Sequence, residues 1–99
     1  MPETWGIGVD LCAVSRMARA IEKAHFFTRV FTENERAYLQ GRGRAVGQSA
    51  AAMFAAKEAV AKALGTGFAQ GVMPWQIEVT HEQSGKPGVL LTGAAREKF

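Results

Sequence analysis

Cysteine and proline are scarce in this chain of 99 residues, which has one cysteine, Cys12, and three prolines. A single cysteine excludes an intrachain disulfide, and a chain without one is typical of a reducing, cytoplasmic location. We expect Cys12 to be a small buried side chain, and it is given no catalytic role.

Long apolar runs, repeats and targeting signals are also missing. No stretch is long enough to span a membrane, and the N-terminus lacks the basic-then-apolar pattern of a secretory signal. The length limits the chain to a single domain, residues 1–99. Because a domain this small buries only somewhat more than about 60% of its unfolded surface, oligomerisation is an expected source of stability.

Acidic residues are few between residues 16 and 44, where much of the positive charge lies. This region holds seven of the twelve basic residues and only three glutamates. A predicted amphipathic helix over 14–25 has a buried stripe of Met17, Ile21 and Ala24. Its separate basic face is either an ordinary solvated surface or a dock for an acidic partner. That face consists of Arg16, Arg19 and Lys23.

Cap and turn residues divide the middle of the chain. Thr32 and Glu35 have the spacing of a capping box, which predicts a helix from residue 33 to about 40, ended by Gly41 in a left-handed conformation. The glycine-rich segment 41–47 reads as a mobile connection. A long helix is predicted over about 48–64, closed by Gly65. We expect the aromatic cluster to pack on the core: Phe26, Phe27 and Phe31.

Alternating apolar and polar residues predict a strand over 75–80, a turn at 84–87 and a returning strand over 89–91. A helix begins near residue 93, and residues 5–11 predict a short buried strand. This order indicates an α+β domain, with a small antiparallel sheet packed on a long central helix.

Two carboxylates and a lysine are the candidate chemical groups. Glu58 and Lys62, four residues apart, share a face of the long helix beside its apolar stripe. Such a pair alone is most often a solvent-exposed ion pair that stabilises the helix by about 0.2–0.5 kcal/mol. Asp10 lies at the end of the first strand, where Gly6 and Gly8 permit close backbone approach.

These segments resemble the signature motifs of a known family. Gly-Ile-Gly-Val-Asp at 6–10 and Phe-Ala-Ala-Lys-Glu-Ala-Val-Ala-Lys at 54–62 are similar to the two motifs of the 4′-phosphopantetheinyl transferases. Phe-Thr-Glu-Asn-Glu at 31–35 and Gly-Thr-Gly at 65–67 resemble the small holo-acyl-carrier-protein synthases, which implies that family's fold.

The resemblance implies an activity and a set of catalytic residues. Family members move 4′-phosphopantetheine from coenzyme A to a serine of apo-acyl carrier protein and release 3′,5′-ADP, with Mg²⁺ as cofactor. Asp10 and Glu58 match the metal ligands, and Glu58 is also one candidate for the general base, the other being a metal-bound water. Lys62 matches a catalytic lysine at the pyrophosphate.

Further residues are predicted to contact the coenzyme and the partner. Gly65 and Thr66 would let the backbone approach coenzyme A, and Arg44 on its loop is a candidate phosphate ligand. Lys57 would reach phosphate from the flank or cap the groove. The resemblance also implies that Arg16 binds the acidic helix of the carrier protein, with Arg19 and Lys23 as additional contacts. A homotrimer with active sites between protomers is implied as well, without nucleic-acid or membrane partners.

The sequence departs from the family at two points. Met53 stands where members commonly have an arginine, and members continue beyond residue 99 with further strands that complete the sheet. We therefore expect a C-terminally incomplete domain, with its activity left open. The alternatives are a non-catalytic transferase-like module and, from the pI of about 9.4, a basic nucleic-acid-binding module. His25 and His81 match no motif.

Overall fold

Helices dominate residues 11–99, the part of the chain that the computed structural model describes. The predicted strand over 5–11 lies outside this part, Asp10 included, except that Leu11 begins the first helix. In chain order the elements are α1 (Leu11–Ala20), α2 (Ala24–Val30), α3 (Glu33–Gln40), a 3₁₀ helix (Gly43–Ala45), α4 (Val46–Ala63), a second 3₁₀ helix (Pro74–Gln76), β1 (Ile77–His81), β2 (Pro87–Leu91) and α5 (Gly93–Lys98).

The predicted helix over 14–25 is wrong in its extent, because the chain turns after Ala20 and starts α2 at Ala24. Ala24 is exposed and not part of a buried stripe. The turn brings the aromatic cluster onto the core, as predicted. The fully buried Phe31 ring lies 6.4 Å from the Phe26 ring and 5.9 Å from that of Phe27. Burial of these rings outweighs continuation of the first helix.

The capping box of α3 is confirmed. The Thr32 hydroxyl accepts from the Glu35 backbone N–H at 3.2 Å, and the Glu35 carboxylate accepts from the Thr32 N–H at 2.9 Å. Helix α3 ends at Gly41 as predicted, but the left-handed conformation predicted for Gly41 is wrong, since its φ is −90°. Gly43, at φ +58°, takes the left-handed conformation, and the chain passes through a 3₁₀ turn directly into α4. The segment predicted as a mobile connection is therefore mostly helical.

Helix α4 is the centre of the domain and ends as predicted, with Gly65 at φ +85°. Its first half crosses α1 closely at Gly47, where an added Cβ would lie 2.9 Å from the Ala18 Cβ. Glycine is needed here because the two helix backbones approach too closely for a side chain.

The strands form one antiparallel hairpin, with Ile77 opposite Leu91 and Val79 opposite Val89. Ile77 and Val79 are buried towards α4, so the predicted α+β arrangement of a small sheet on a long central helix is confirmed. Trp75 precedes the strand in a 3₁₀ turn and is 46% exposed, which corrects its predicted place in the strand. Within residues 11–99 no helix has both the length and the apolar character that crossing a membrane requires.

Candidate active site

A cavity of about 530 Å³ opens along the second half of α4. The exposed side chains of Glu58 and Lys62 both line it, as their spacing of four residues on one helix face requires. The cavity therefore combines a carboxylate and an ammonium group with small and aromatic walls. Its remaining lining residues are Ala55, Ala59, Ala61, Gly67 and Phe68.

The wall opposite α4 is built by the turn that ends the helix. Gly65 and Gly67, at φ +85° and +57°, reverse the chain, and the Gly67 N–H donates to the Ala61 carbonyl at 3.0 Å. Thr66 Oγ1 donates to the Gly67 carbonyl at 2.7 Å. The chain then places the Phe68 ring 6.0 Å from the Phe54 ring on α4. Sequence reasoning did not find Phe68, because its position depends on the geometry of this turn.

The predicted coenzyme-binding residues do not all meet at the cavity. Gly65 and Thr66 lie in the turn beside the wall residue Gly67, without lining the cavity themselves. Arg44 is exposed in the 3₁₀ helix before α4. The 14 residue steps from Arg44 to Glu58 correspond to about 21 Å of helix, so within one chain Arg44 belongs to the opposite end of α4.

The predicted basic face is divided between two elements. Arg16 and Arg19 are exposed on α1, whereas Lys23 is an exposed residue in extended conformation at the start of α2. Cys12 is exposed on α1, so the expectation that it is buried is wrong. The turn after Ala20 explains the division of the basic face.

Lys57 cannot serve the cavity, which corrects its predicted place at the phosphate or the groove. Its side chain is fully buried, and its Nζ donates to Glu35 Oε1 at 2.8 Å, to the Pro74 carbonyl at 2.9 Å and to the Ile77 carbonyl at 2.7 Å. Burial lowers the pKa of Lys57 from its usual value, and the hydrogen bond and charge of Glu35 act in the opposite direction.

The sequence did carry a signal for this burial. Lys57 lies four residues after Met53 and four before Ala61, and both of these are buried. Three residues at this spacing share one helix face, so Lys57 falls on the core side of α4. The capping box gave a second signal, because it directs the Glu35 carboxylate back to the backbone at the start of α3.

Glu58 suits a divalent cation that is held jointly with a substrate. Within residues 11–99 no group of three or more His, Cys, Asp or Glu side chains forms a metal cage. Mg²⁺ is commonly held by one or two protein carboxylates, with waters and substrate phosphates filling its other positions. A single exposed carboxylate beside a lysine fits that mode, and the second predicted ligand, Asp10, lies outside the described residues.

Comparison with known proteins defines the class. Residues 6–99 match the family model of the 4′-phosphopantetheinyl transferase superfamily. The chain therefore belongs to this superfamily of transferases.

Relatives of the chain include holo-[acyl-carrier-protein] synthases, which confirms the predicted family. The synthase of Gluconobacter oxydans is 50% identical over 95 residues, which cover 93% of this chain and 60% of that protein. The synthase of Methylobacterium nodulans is 52% identical over 92 residues, covering 91% and 69%. The chain thus spans about 60 to 70% of the length of these relatives.

A solved structure supports the fold. The acyl carrier protein synthase of Plasmodium yoelii, with ADP bound, superposes with a TM-score of 0.66 at 29% sequence identity. The matched region covers 87% of this chain and 67% of that one.

Proposed function

We propose that the chain transfers 4′-phosphopantetheine from coenzyme A to a serine of apo-acyl carrier protein and releases 3′,5′-ADP. The observation that carries this proposal is that Glu58 and Lys62 line one cavity on α4. Both belong to the segment 54–62 that resembles the family motif. The names of the relatives supply the type of substrate, an acyl carrier protein.

The reaction needs negative charge to be neutralised and one proton to be removed. The serine oxygen bonds to the phosphorus that carries the pantetheine, and the bond from that phosphorus to the bridging oxygen of the pyrophosphate breaks. Lys62 stabilises the charge that develops on the leaving phosphate. The serine proton passes to the Glu58 carboxylate or to a water beside it.

Mg²⁺ is the proposed cofactor, and Glu58 and Asp10 are the residues that would hold it. When bound, the ion would supply positive charge that neutralises and orients the pyrophosphate. Glu58 is exposed to solvent, so its carboxylate is accessible to a cation that arrives with the coenzyme.

The coenzyme site is proposed to lie between protomers of a homotrimer. Gly65 and Thr66 would contact coenzyme A from the same chain as Glu58. Arg44 lies at the other end of α4, and we propose that it reaches the coenzyme of a neighbouring protomer. The ADP in the Plasmodium yoelii structure supports nucleotide binding by this fold, since ADP resembles the adenosine portion of coenzyme A.

The carrier protein is proposed to dock on the basic face of α1 and the start of α2. Arg16, Arg19 and Lys23 are exposed and present positive charge to an acidic helix. A cytoplasmic location and a role in fatty-acid biosynthesis complete the proposal.

Mass spectrometry of an apo-acyl carrier protein, incubated with this chain, coenzyme A and Mg²⁺, tests the proposal. We expect the carrier protein to gain the mass of one phosphopantetheinyl group, and Glu58→Gln to abolish the gain. Glu97→Gln changes an exposed glutamate on α5 and serves as the matched control. An unmodified carrier protein with the unchanged chain would contradict the proposal, as would full activity of Glu58→Gln. Coenzyme A binding without transfer would support the non-catalytic alternative.

A further inference from the structure

The ion pair of Glu35 and Lys57 is buried and fully hydrogen bonded. Both side chains have a relative exposure of 0%. The ammonium group has three N–H donors, and each meets a separate oxygen. Glu35 accepts from the Lys57 Nζ and the Thr32 N–H through Oε1, and from the Val79 N–H at 2.6 Å through Oε2.

This pair connects the elements that surround the second half of α4. Lys57 belongs to α4, Glu35 to α3, and the two carbonyl acceptors to the 3₁₀ turn at Pro74 and to β1 at Ile77. Hydrogen bonds depend on angle, whereas the hydrophobic effect is non-directional. The pair therefore restricts rotation of α4 about its own axis.

Apolar packing alone restricts that rotation less strictly, because the fully buried residues of α4 are mostly small and its larger apolar side chains, such as Val46, Phe54 and Val60, are only partly buried. Apart from Met53 and Lys57, its buried residues are glycine and alanine: Gly47, Ala50, Ala51 and Ala61. Such side chains offer little shape with which to fix one orientation. Lys57 supplies the directional contacts that they lack.

The orientation of α4 decides where its reactive groups point. Viewed along the helix axis, Glu58 lies about 100° from Lys57, and Lys62 lies about 140° from Lys57. Holding Lys57 at three oxygens therefore holds Glu58 and Lys62 towards the cavity.

We propose that Glu35 and Lys57 are positioning residues for Glu58 and Lys62, which they aim into the cavity by fixing the rotation of α4. This inference rests on the proposed function for the roles of Glu58 and Lys62, while the orientation itself can be measured without turnover. Loss of supporting interactions behind a reactive group typically costs about 10- to 100-fold in affinity or activity.

The test compares Glu35→Gln with Leu39→Ala. Glu35→Gln keeps the shape of the side chain and removes its charge. Leu39 is a fully buried residue of α3 within the apolar core, so its truncation destabilises the fold by a cavity and leaves the ion pair intact. Both variants are measured at a temperature at which thermal melts show them fully folded.

Three readouts separate positioning from stability. The nuclear Overhauser contact between the Phe54 and Phe68 rings, 6.0 Å apart at their centroids, reports without any substrate how α4 faces the cavity wall, because Phe68 packs on the core cluster that includes Ile77 of β1. We expect Glu35→Gln to weaken this contact, lower kcat about 10- to 100-fold and weaken coenzyme A binding in calorimetry. Leu39→Ala should preserve all three per folded molecule.

The inference is overturned if Glu35→Gln keeps the ring contact, or if its kcat and coenzyme A affinity equal those of Leu39→Ala. If the unchanged chain lacks transfer, the proposed function fails, and the ring contact alone still decides whether the pair orients α4. Should Glu35→Gln not fold, Lys57→Arg replaces it, because a guanidinium keeps the charge but cannot place its donors on the same three oxygens.

Discussion

Helix α4 has one side marked by Lys57 and another marked by Glu58. The surroundings of these two sides differ sharply, although the two residues are neighbours in sequence. Lys57 is enclosed by three oxygen acceptors, whereas Glu58 is exposed at a cavity. One side serves the architecture and the other faces a cavity that is open to solvent. A charged residue can therefore belong to a family motif without belonging to the reactive site. Its burial and its hydrogen-bond partners decide which role it has.

The strongest way to break this contrast is to apply the same substitution on both sides of α4. We expect Lys57→Met to lower the free energy of unfolding by about 3–5 kcal/mol, because it leaves the Glu35 carboxylate buried without its cation. Lys62→Met, at an exposed position, should change it by no more than about 0.5 kcal/mol. Urea denaturation measures both values, and equal losses would contradict the assignment of the two sides.

For transfer by folded molecules, Lys62→Met is compared with Lys98→Met, a substitution of another exposed lysine. Lys62→Met is expected to lower kcat/KM for coenzyme A about 100-fold, because the developing phosphate charge loses a cation. Lys98 lies exposed on α5, away from the cavity lining, and its substitution should have little effect. Normal kinetics of Lys62→Met would remove Lys62 from the site.

The first half of α4 also has a structural role, because it crosses α1 closely at Gly47. We expect Gly47→Ala to destabilise the fold by about 1–3 kcal/mol, because the new methyl group would lie 2.9 Å from the Ala18 Cβ. Adding Ala18→Gly should recover part of that loss in a double-mutant cycle. Additive effects of the two substitutions would show that the helices do not touch there.

The smallest expected effect concerns the surface of α1. Arg16→Glu should raise the KM for the carrier protein about tenfold at low salt, with coenzyme A affinity unchanged and the difference reduced at high salt. Arg96→Glu on α5 is the matched charge reversal. If both reversals weaken the carrier protein equally, the effect is one of net charge and not of a docking face.

Local chemistry made part of the fold predictable from sequence. The capping box placed the start of α3 correctly, and the periodic apolar pattern with Gly65 placed α4 to within two residues at its start and one at its end. The break between α1 and α2 was missed, because it depends on burying phenylalanine rings against distant residues. Similarly, Gly41 was expected to end α3 in a left-handed turn that the chain makes instead at Gly43.

The candidate site, like the fold, was predictable only in part. Helical spacing alone was enough to place Glu58 and Lys62 together. The wall at Phe68 was missed because it depends on two positive φ angles after the helix. The ion pair was missed because its partners lie 22 residues apart in sequence. The roles of Arg16, Arg19, Lys23 and Arg44 stay predictions.

The carboxylate of Glu35 also has a consequence for how the domain opens. It accepts from the Thr32 N–H at the start of α3 and from the Val79 N–H in β1, in addition to the lysine of α4. None of these elements can come apart from the others without breaking a hydrogen bond to this buried carboxylate. Amide protons of α3, β1 and the second half of α4 should therefore exchange with solvent as one cooperative unit.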